Sequence, residues 1–416
     1  MIKLISRDDF PQTRSEFAQD LISGVTVAIV ALPLAIGFGI TAGMTAAAGI
    51  STAIIAGFIA ALFGGSRFQV SGPTGAMTVV LIPVISKFGP SAIPILGVFA
   101  GLFVILMSLI RLGDLINKVP DPVVEGFTVG IALVIGLQQL PFALDIPKGE
   151  GDRTLQVASN TLRSALEIGL HWQSIMVVAL TLIIKFNFVK IIETLKIRAY
   201  IPASFGALLI TTLLVNGFGL DVAKIGEIPR NVFTWTSPTF DSMDLTALII
   251  PAISIALLAA IESLLSARVA DDLSNASKAE KFAPNQELFG QGVATTVASV
   301  FGGMPATGAI ARTNVNVRAG AKTRISAMVH AITLLAIVLF LAPIFSQIPS
   351  AAIAGVLIGT SFRIFNKATM KEIFKSGRKN ISIYLITAIV TVGVDLIWGI
   401  FVGIALYLIL KAIPKK

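Results

Sequence analysis

The chain has 416 residues, 55% of them hydrophobic and only 13% charged, with a mean hydropathy of +0.87. A soluble globular chain carries about 25% charged residues, so this one lacks the charge to cover a water-facing surface. That excludes a soluble multidomain enzyme, a disordered chain and a coiled coil, and leaves a polytopic membrane protein. The net charge of +9, from 32 Lys and Arg against 23 Asp and Glu, raises nucleic acid as a partner. No nucleic-acid-binding motif accompanies it, so no nucleic acid is expected.

Cysteine is absent, which excludes a disulfide framework and a Cys-ligated metal. His171 and His330 are too few for a histidine metal site. The polar N-terminal stretch carries Lys3, Arg7 and Arg14 and lacks the apolar core and cleavage site of a signal peptide. The chain is therefore expected to insert by its own first helix.

A membrane-crossing helix needs about 20 mostly apolar residues. In chain order, residues 1–18 precede segments at 19–38, 44–64, 74–88 and 92–112. Segments at 122–142, 172–189 and 200–217 complete the first half. The second half carries 245–268, 286–301, 307–317, 323–343, 349–364, 381–394 and 396–412, with residues 413–416 as a tail. The loops after odd-numbered segments hold six basic residues: Lys87, Lys148, Arg153, Arg163, Lys224 and Arg230. The other 26 of the 32 are assigned to the termini and the even-numbered loops. This bias places both termini in the cytoplasm of a multi-pass protein of the cell inner (plasma) membrane. The densest basic run, Arg363, Lys367, Lys371, Lys375, Arg378 and Lys379, then faces inside, where anionic lipid attracts it.

Phe63-Gly64-Gly65 recurs as Phe301-Gly302-Gly303, and each is followed by a Thr-Gly-Ala phrase, Thr74-Gly75-Ala76 and Thr307-Gly308-Ala309. The two phrases are 233 residues apart and open segments 3 and 10, corresponding members of two seven-segment halves. An odd number per half inverts the second half, the signature of a secondary transporter. Both segments are too short to cross a 30 Å core alone, at about 20 Å and 16 Å for a rise of 1.5 Å per residue. The Gly/Pro-rich sequence before each is expected to cross the rest of the membrane as extended backbone buried in protein. The N-termini of segments 3 and 10 should then meet near the midplane.

Two helix N-termini on one cavity offer free N–H donors and two positive dipole ends, which favours an anion. The candidate binding residues are Thr74, Gly75, Ala76, Thr307, Gly308, Ala309 and Ile310. Packing at Gly-rich helix breaks is the competing explanation. In segment 8, Glu262 lies among apolar residues near mid-span, with Ser266 one helical turn on. A carboxyl at that depth is a functional candidate by default. Beside an anion it is expected to be protonated or paired with a cation, and the first suits proton–anion coupling. Arg312 either adds positive field to the cavity or marks the cytoplasmic end of segment 10. Glu125 and Asp395 read as helix-end residues, His330 as a packed histidine. Asp271, Asp272, Arg268, Arg318, Lys322 and Arg324 read as interfacial charges. No P-loop, nucleophile–base pair or metal-ligand cluster stands out, so gradients rather than ATP and no cofactor are expected.

On these residues the chain resembles the sulfate permease, or solute carrier 26, family of anion transporters. The resemblance is carried by Ala31-Leu32-Pro33-Leu34-Ala35-Ile36-Gly37-Phe38-Gly39-Ile40, by Gly64 to Thr74, by Glu262 to Ser266 and by Gly302 to Arg312. Asn316 to Gly320 and His330 add to it. It implies an all-α membrane protein of fourteen transmembrane segments in a seven-plus-seven inverted repeat, with short half-helices 3 and 10. A core domain of segments 1–4 and 8–11 (19–118 and 245–345) would move against a gate domain of segments 5–7 and 12–14 (119–244 and 346–412). Pro33 and Phe38 would wall the site, and a homodimer is expected. Relatives usually continue into a cytoplasmic STAS domain, which these 416 residues, ending just past segment 14, are not expected to contain. Many relatives also carry Gln where this chain has Leu34.

The expected function is a proton-coupled symporter of sulfate, bicarbonate or a C4-dicarboxylate, working by an elevator mechanism, and not an enzyme. A sodium-coupled bicarbonate transporter and an uncoupled anion channel or exchanger are the alternatives. Ile310 after Gly308-Ala309 weakens a sodium site, and the absence of an acid from Thr307 to Val317 disfavours a nucleobase transporter.

Overall fold

The computed structural model describes residues 9–116, 118–151, 153–194, 202–228, 231, 233–237, 245–274, 281–365, 367–394 and 396–412. In chain order the first half holds α1 (Arg14–Thr41), α2 (Ala46–Phe63), β1 (Ser71–Gly72), α3 (Gly75–Phe88), α4 (Ile93–Leu109) and α5 (Leu112–Ile116). It continues with α6 (Asp121–Gln138), α7 (Leu140–Leu144), α8 (Thr154–Ile168), α9 (Trp172–Thr194) and α10 (Ala203–Gly217). The second half holds α11 (Leu245–Ser274), α12 (Pro284–Val300), β2 (Thr307–Gly308), α13 (Ile310–Arg318) and α14 (Ile325–Phe345). It ends with α15 (Ser350–Ile364), α16 (Lys367–Lys375), α17 (Arg378–Gly393) and α18 (Leu396–Ala412). Each of the fourteen sequence segments contains a helix. Among the described residues, seven helical stretches are long and apolar enough to cross a membrane unaided. Helices α8 and α16 fall in loops of the sequence-based reading, too short and too polar to register as spans.

The described residues fall into two compact units. The first lies within Met1–Asn117, Ala199–Phe205 and Ile225–Gln347, the second within Lys118–Arg198, Gly206–Lys224 and Ile348–Lys416. In the first unit, α1 opens with a capping box. Thr13 Oγ1 accepts from Glu16 N at 3.2 Å, while Glu16 Oε2 accepts from Thr13 N at 3.3 Å. Helix α1 packs on α14, and α12 packs on both α2 and α4. Charges close the ends of these helices. Asp20 accepts from Lys322 N, Thr323 N and Thr323 Oγ1 at 2.7, 3.0 and 2.6 Å, ahead of α14. Arg324 donates to the carbonyls of Ala61, Leu62 and Gly64 at the end of α2 and pairs with Asp9 at 2.9 Å. The ion pair matches the interfacial charge read from the sequence, and at 3% exposed the cation also serves as a buried staple on the end of α2.

In the second unit, α17 packs on α6 and α15 packs on α9. Lys185 of α9 is buried and donates to Val356 O at 2.6 Å and Thr360 Oγ1 at 2.7 Å on α15. The assignment of every other basic residue to the cytoplasmic loops is corrected here: Lys185 lies inside a span, where neutral oxygens of α15 replace its water. Arg312 is the second exception. Asp395 lies outside the described residues.

The start of segment 10 is also corrected. Thr74 is the N-cap of α3, with extended backbone and its hydroxyl toward Met77 N. Its counterpart Thr307 is still in β2, and the helix begins only at Ile310, with Ala309 as its N-cap. The Thr307 hydroxyl is held by α11 instead, at Ser263 Oγ and Ala259 O, so the backbone stays extended for two further residues.

Candidate substrate site

Two extended strands of two residues each organise the middle of the first unit. Ser71 pairs with Gly308 and Gly72 with Thr307 in antiparallel register. Ala309 N donates to Val70 O at 3.0 Å, which extends the contact past the strand. Each half of the chain thus sends an extended lead that satisfies the backbone of the other. This is how irregular backbone survives away from water. The antiparallel sense is what an inverted repeat produces.

Helix α11 packs against α3, α13 and β2, and so brings its side chains to this crossing. Glu262 Oε2 accepts from Thr74 Oγ1 at 3.0 Å. The same hydroxyl accepts from Met77 N at 3.5 Å, so the acid of α11 is tied to the N-cap of α3. Ser263, the next residue, lies 2.9 Å from Thr307 Oγ1 and accepts from Gly308 N at 2.9 Å. Adjacent residues of one helix therefore hold the two leads. Ser266 is fully buried and donates to Thr313 Oγ1 at 2.9 Å, and Thr313 accepts from Val70 N at 3.1 Å. Its hydroxyl is committed to joining α11, α13 and β1.

The first N–H groups of α3, at Gly75 and Ala76, and of α13, at Ile310, Ala311 and Arg312, have no carbonyl within their own helix. The α3 tip is fully packed, whereas Ile310 is partly exposed, Ala311 exposed and Glu262 partly exposed. Access to the site therefore lies on the side of α13 and Glu262.

Arg312 is the third residue of α13, at the positive end of a helix, where a cation is disfavoured by about 0.3–1 kcal/mol or more when buried. It is 1% exposed. Its Nη2 donates to Pro73 O at 3.0 Å, and Nη1 has no hydrogen-bond partner. The guanidinium passes directly over Gly72, and a Cβ at that position would collide with Nη1. Its charge interacts with that of Glu262. Two helix N-termini and a buried cation converge against one carboxyl group, an excess of positive field that an anion relieves.

Around this centre a second network holds the lead into β1. Glu287 of α12 is buried and accepts from Gly65 N and Ser66 N, both at 2.9 Å, and from Gln69 Nε2 at 2.7 Å. It also accepts from Gln291 Nε2 at 3.0 Å, and Gln291 in turn reaches Ser71 Oγ. Gln69 lies against Gly308, where no Cβ would fit. Neither Glu287 nor Ser263 was singled out in the sequence. A glutamate in the first turn of a helix reads as a dipole complement, and a serine beside a glutamate reads as a small residue.

Other candidates are placed as follows. Pro33 and Phe38 are buried on α1, which contacts both α3 and α13, and neither side chain joins the polar network. His330 is fully buried on α14 beside Gly57, and its Nε2 has no hydrogen-bond partner. Glu125 lies in the first turns of α6, in the second unit. Asp271 accepts from Phe282 N at 2.9 Å, closing the loop between α11 and α12. Arg318 sits in the last turn of α13, where the helix dipole favours it. Among the described residues, no group of three or more His, Asp or Glu is placed to hold a metal ion.

Comparison with known proteins agrees with this architecture. The Sulfate permease family matches residues 17–387. A putative sulfate transporter of Bacillus subtilis, YvdB, is 36% identical over 397 residues, covering 94% of this chain and 73% of that protein. The bicarbonate transporter BicA of Synechocystis is 33% identical, covering 92% of this chain and 68% of that protein. Among solved structures, the transmembrane domain of a cyanobacterial BicA superposes with a TM-score of 0.81 at 27% identity, covering 94% of this chain and 97% of that one. The murine solute carrier 26 family member A9 shares the fold at a TM-score of 0.80 and 14% identity, covering 96% of this chain and 69% of that one. The fold and the paired half-helices define a membrane transporter. The chain belongs to the sulfate permease family.

Proposed function

We propose that this protein is a secondary active transporter of small anions of the sulfate, bicarbonate or C4-dicarboxylate class, coupled to protons. The anion sits between the N-termini of α3 and α13, against Gly75, Ala76, Ile310 and the field of Arg312. Glu262 is the coupling group. The observation that carries this reading is the bond from Thr74, the N-cap of α3, to Glu262. A proton on Glu262 removes a negative charge at the place where the anion binds. Anion and proton therefore favour each other, and reciprocity of that linkage is what symport requires.

The first unit, which contains every residue of the site, corresponds to the moving core, and the second to the gate. Both termini face the cytoplasm across the plasma membrane, and the working assembly is a homodimer in a lipid bilayer. The likeness to the bicarbonate transporter BicA favours bicarbonate as the anion, and the second reading is a bicarbonate transporter coupled to sodium in place of the proton. Purified protein in proteoliposomes tests both. Uptake of one labelled anion is measured with unlabelled sulfate, bicarbonate, fumarate and chloride as competitors, under an imposed proton or sodium gradient. Saturable uptake driven by protons alone is the expected result. Uptake driven by sodium alone selects the second reading, and conductive flux without coupling rejects both.

A further inference from the structure

Among the described residues, the second unit carries an apolar surface that none of its helices covers. Helix α8 rests on α6, α7 and α17 through a stripe of small residues, Ala158, Thr161 and Ala165, all buried. It is held there at two further points. Gly149 N donates to Thr161 Oγ1 at 2.9 Å, and Asn160 Nδ2 donates to Glu150 O at 2.8 Å. At 100° per residue, Leu155, Leu162 and Leu166 fall within about 40° of one another, beside the buried stripe. They are 45%, 46% and 81% exposed. The polar residues Asn160 and Arg163 lie about 80–140° away from Leu155, on another sector. A water-facing loop helix has no reason to align three exposed leucines.

The exposed apolar surface does not stop at α8. Gly169, with φ of 101°, turns the chain out of the helix. Leu170 and Trp172 follow at 56% and 63% exposed, and Ile175 and Met176 continue the surface down α9. Helix α9 is long and apolar enough to cross a membrane, and Leu170, Trp172, Ile175 and Met176 carry exposed apolar side chains from the end of α8 into it. Tryptophan at the first residue of a span marks the level of the headgroups. The geometry points to α8 as an interfacial helix, lying in the plane of the membrane with Leu155, Leu162 and Leu166 inserted among the lipid chains and Asn160 and Arg163 toward water. About 22 Å of helix held flat in this way fixes the depth of the second unit in the bilayer.

The 416 residues contain no cysteine, so single cysteines can be placed at Leu162, Leu166, Asn160 and Arg163; the Asn160 variant gives up its bond to Glu150 O while Thr161 Oγ1 still holds the helix. Each variant is spin-labelled and reconstituted in phosphatidylcholine–phosphatidylglycerol vesicles. Collision rates with oxygen, which concentrates in lipid, and with a water-soluble nickel complex are then compared. The ratio of oxygen to nickel collisions is expected to be several-fold higher at positions 162 and 166 than at 160 and 163. Equal ratios at all four positions overturn the proposal. So does spin–spin broadening at 162 or 166 that disappears on dilution with unlabelled protein, because that outcome assigns the stripe to a second copy of the chain.

Discussion

At Gly72 one methyl group decides whether Arg312 keeps its place. A Cβ there would overlap the guanidinium. Gly72→Ala must therefore displace the cation or strain β1, at a cost of about 1–3 kcal/mol. If the displaced charge reduces anion binding by about 1.4 kcal/mol, the apparent KM rises about tenfold. Anion-concentration dependence of uptake checks this, and an unchanged KM in a stably folded variant contradicts the placement of Arg312. Glu287 makes a different prediction. Glu287→Leu leaves Gly65 N, Ser66 N and Gln69 Nε2 without the acceptor they share, and an unsatisfied buried polar group costs about 1–3 kcal/mol. The melting temperature in detergent is expected to fall by many degrees, whereas Gly72→Ala acts mainly on the anion. Sequence makes Glu262 conspicuous because a carboxyl among apolar residues is costly, whether it serves coupling or a structural hydrogen bond to a broken helix. Arg312 was ambiguous, because burial under a strand from the other half of the chain is not encoded near it. Ser263 and Glu287 were invisible for the same reason: their partners are 44 and more than 200 residues away.

The elements were legible to different degrees. Every apolar segment became a helix, because burial in lipid demands one wherever about 20 apolar residues run together. The short segments 3 and 10 were recognisable from their Gly/Pro-rich approaches. Their pairing as β1 and β2 was not, because two residues carry no strand pattern. The start of α13 was misplaced because Thr307-Gly308-Ala309 mimics Thr74-Gly75-Ala76, while Ser263 on α11 keeps only the second phrase extended. Ser263→Ala leaves Gly308 N without its acceptor and Thr307 Oγ1 with only Ala259 O on α11. The lead into α13 is then held to α11 more weakly, and transport should fall, with the KM rising by a larger factor than stability is lost. Retention of wild-type kinetics in Ser263→Ala would show that β1 pairing alone sets the position of α13. Helices α8 and α16 are not legible as spans because each is short and mixes polar with apolar residues.

At the scale of the whole molecule, low charge identifies the solvent, and the distribution of charge is the basis of the proposed orientation. Lys185 and Arg312 depart from that distribution because each is buried against carbonyl oxygens. The proposed orientation puts α8 outside and α16 inside. In intact cells, a cysteine at Asn160 should react with a membrane-impermeant maleimide, and a cysteine at Lys375 should react only after permeabilisation. The reverse pattern would invert the topology. The division into two units, one holding every site residue, is the physical basis for the elevator reading.

Glu262, tied to Thr74, is the group proposed to carry the proton that accompanies the anion. Glu262→Gln keeps an oxygen for the Thr74 hydroxyl but cannot release a proton. Proteoliposomes containing a trapped pH indicator and loaded with the transported anion measure both fluxes at once. The wild type is expected to acidify the lumen as anion enters. Glu262→Gln should lose both proton entry and gradient-driven uptake while still exchanging internal for external anion. Proton-coupled accumulation at the wild-type rate in Glu262→Gln would contradict the account.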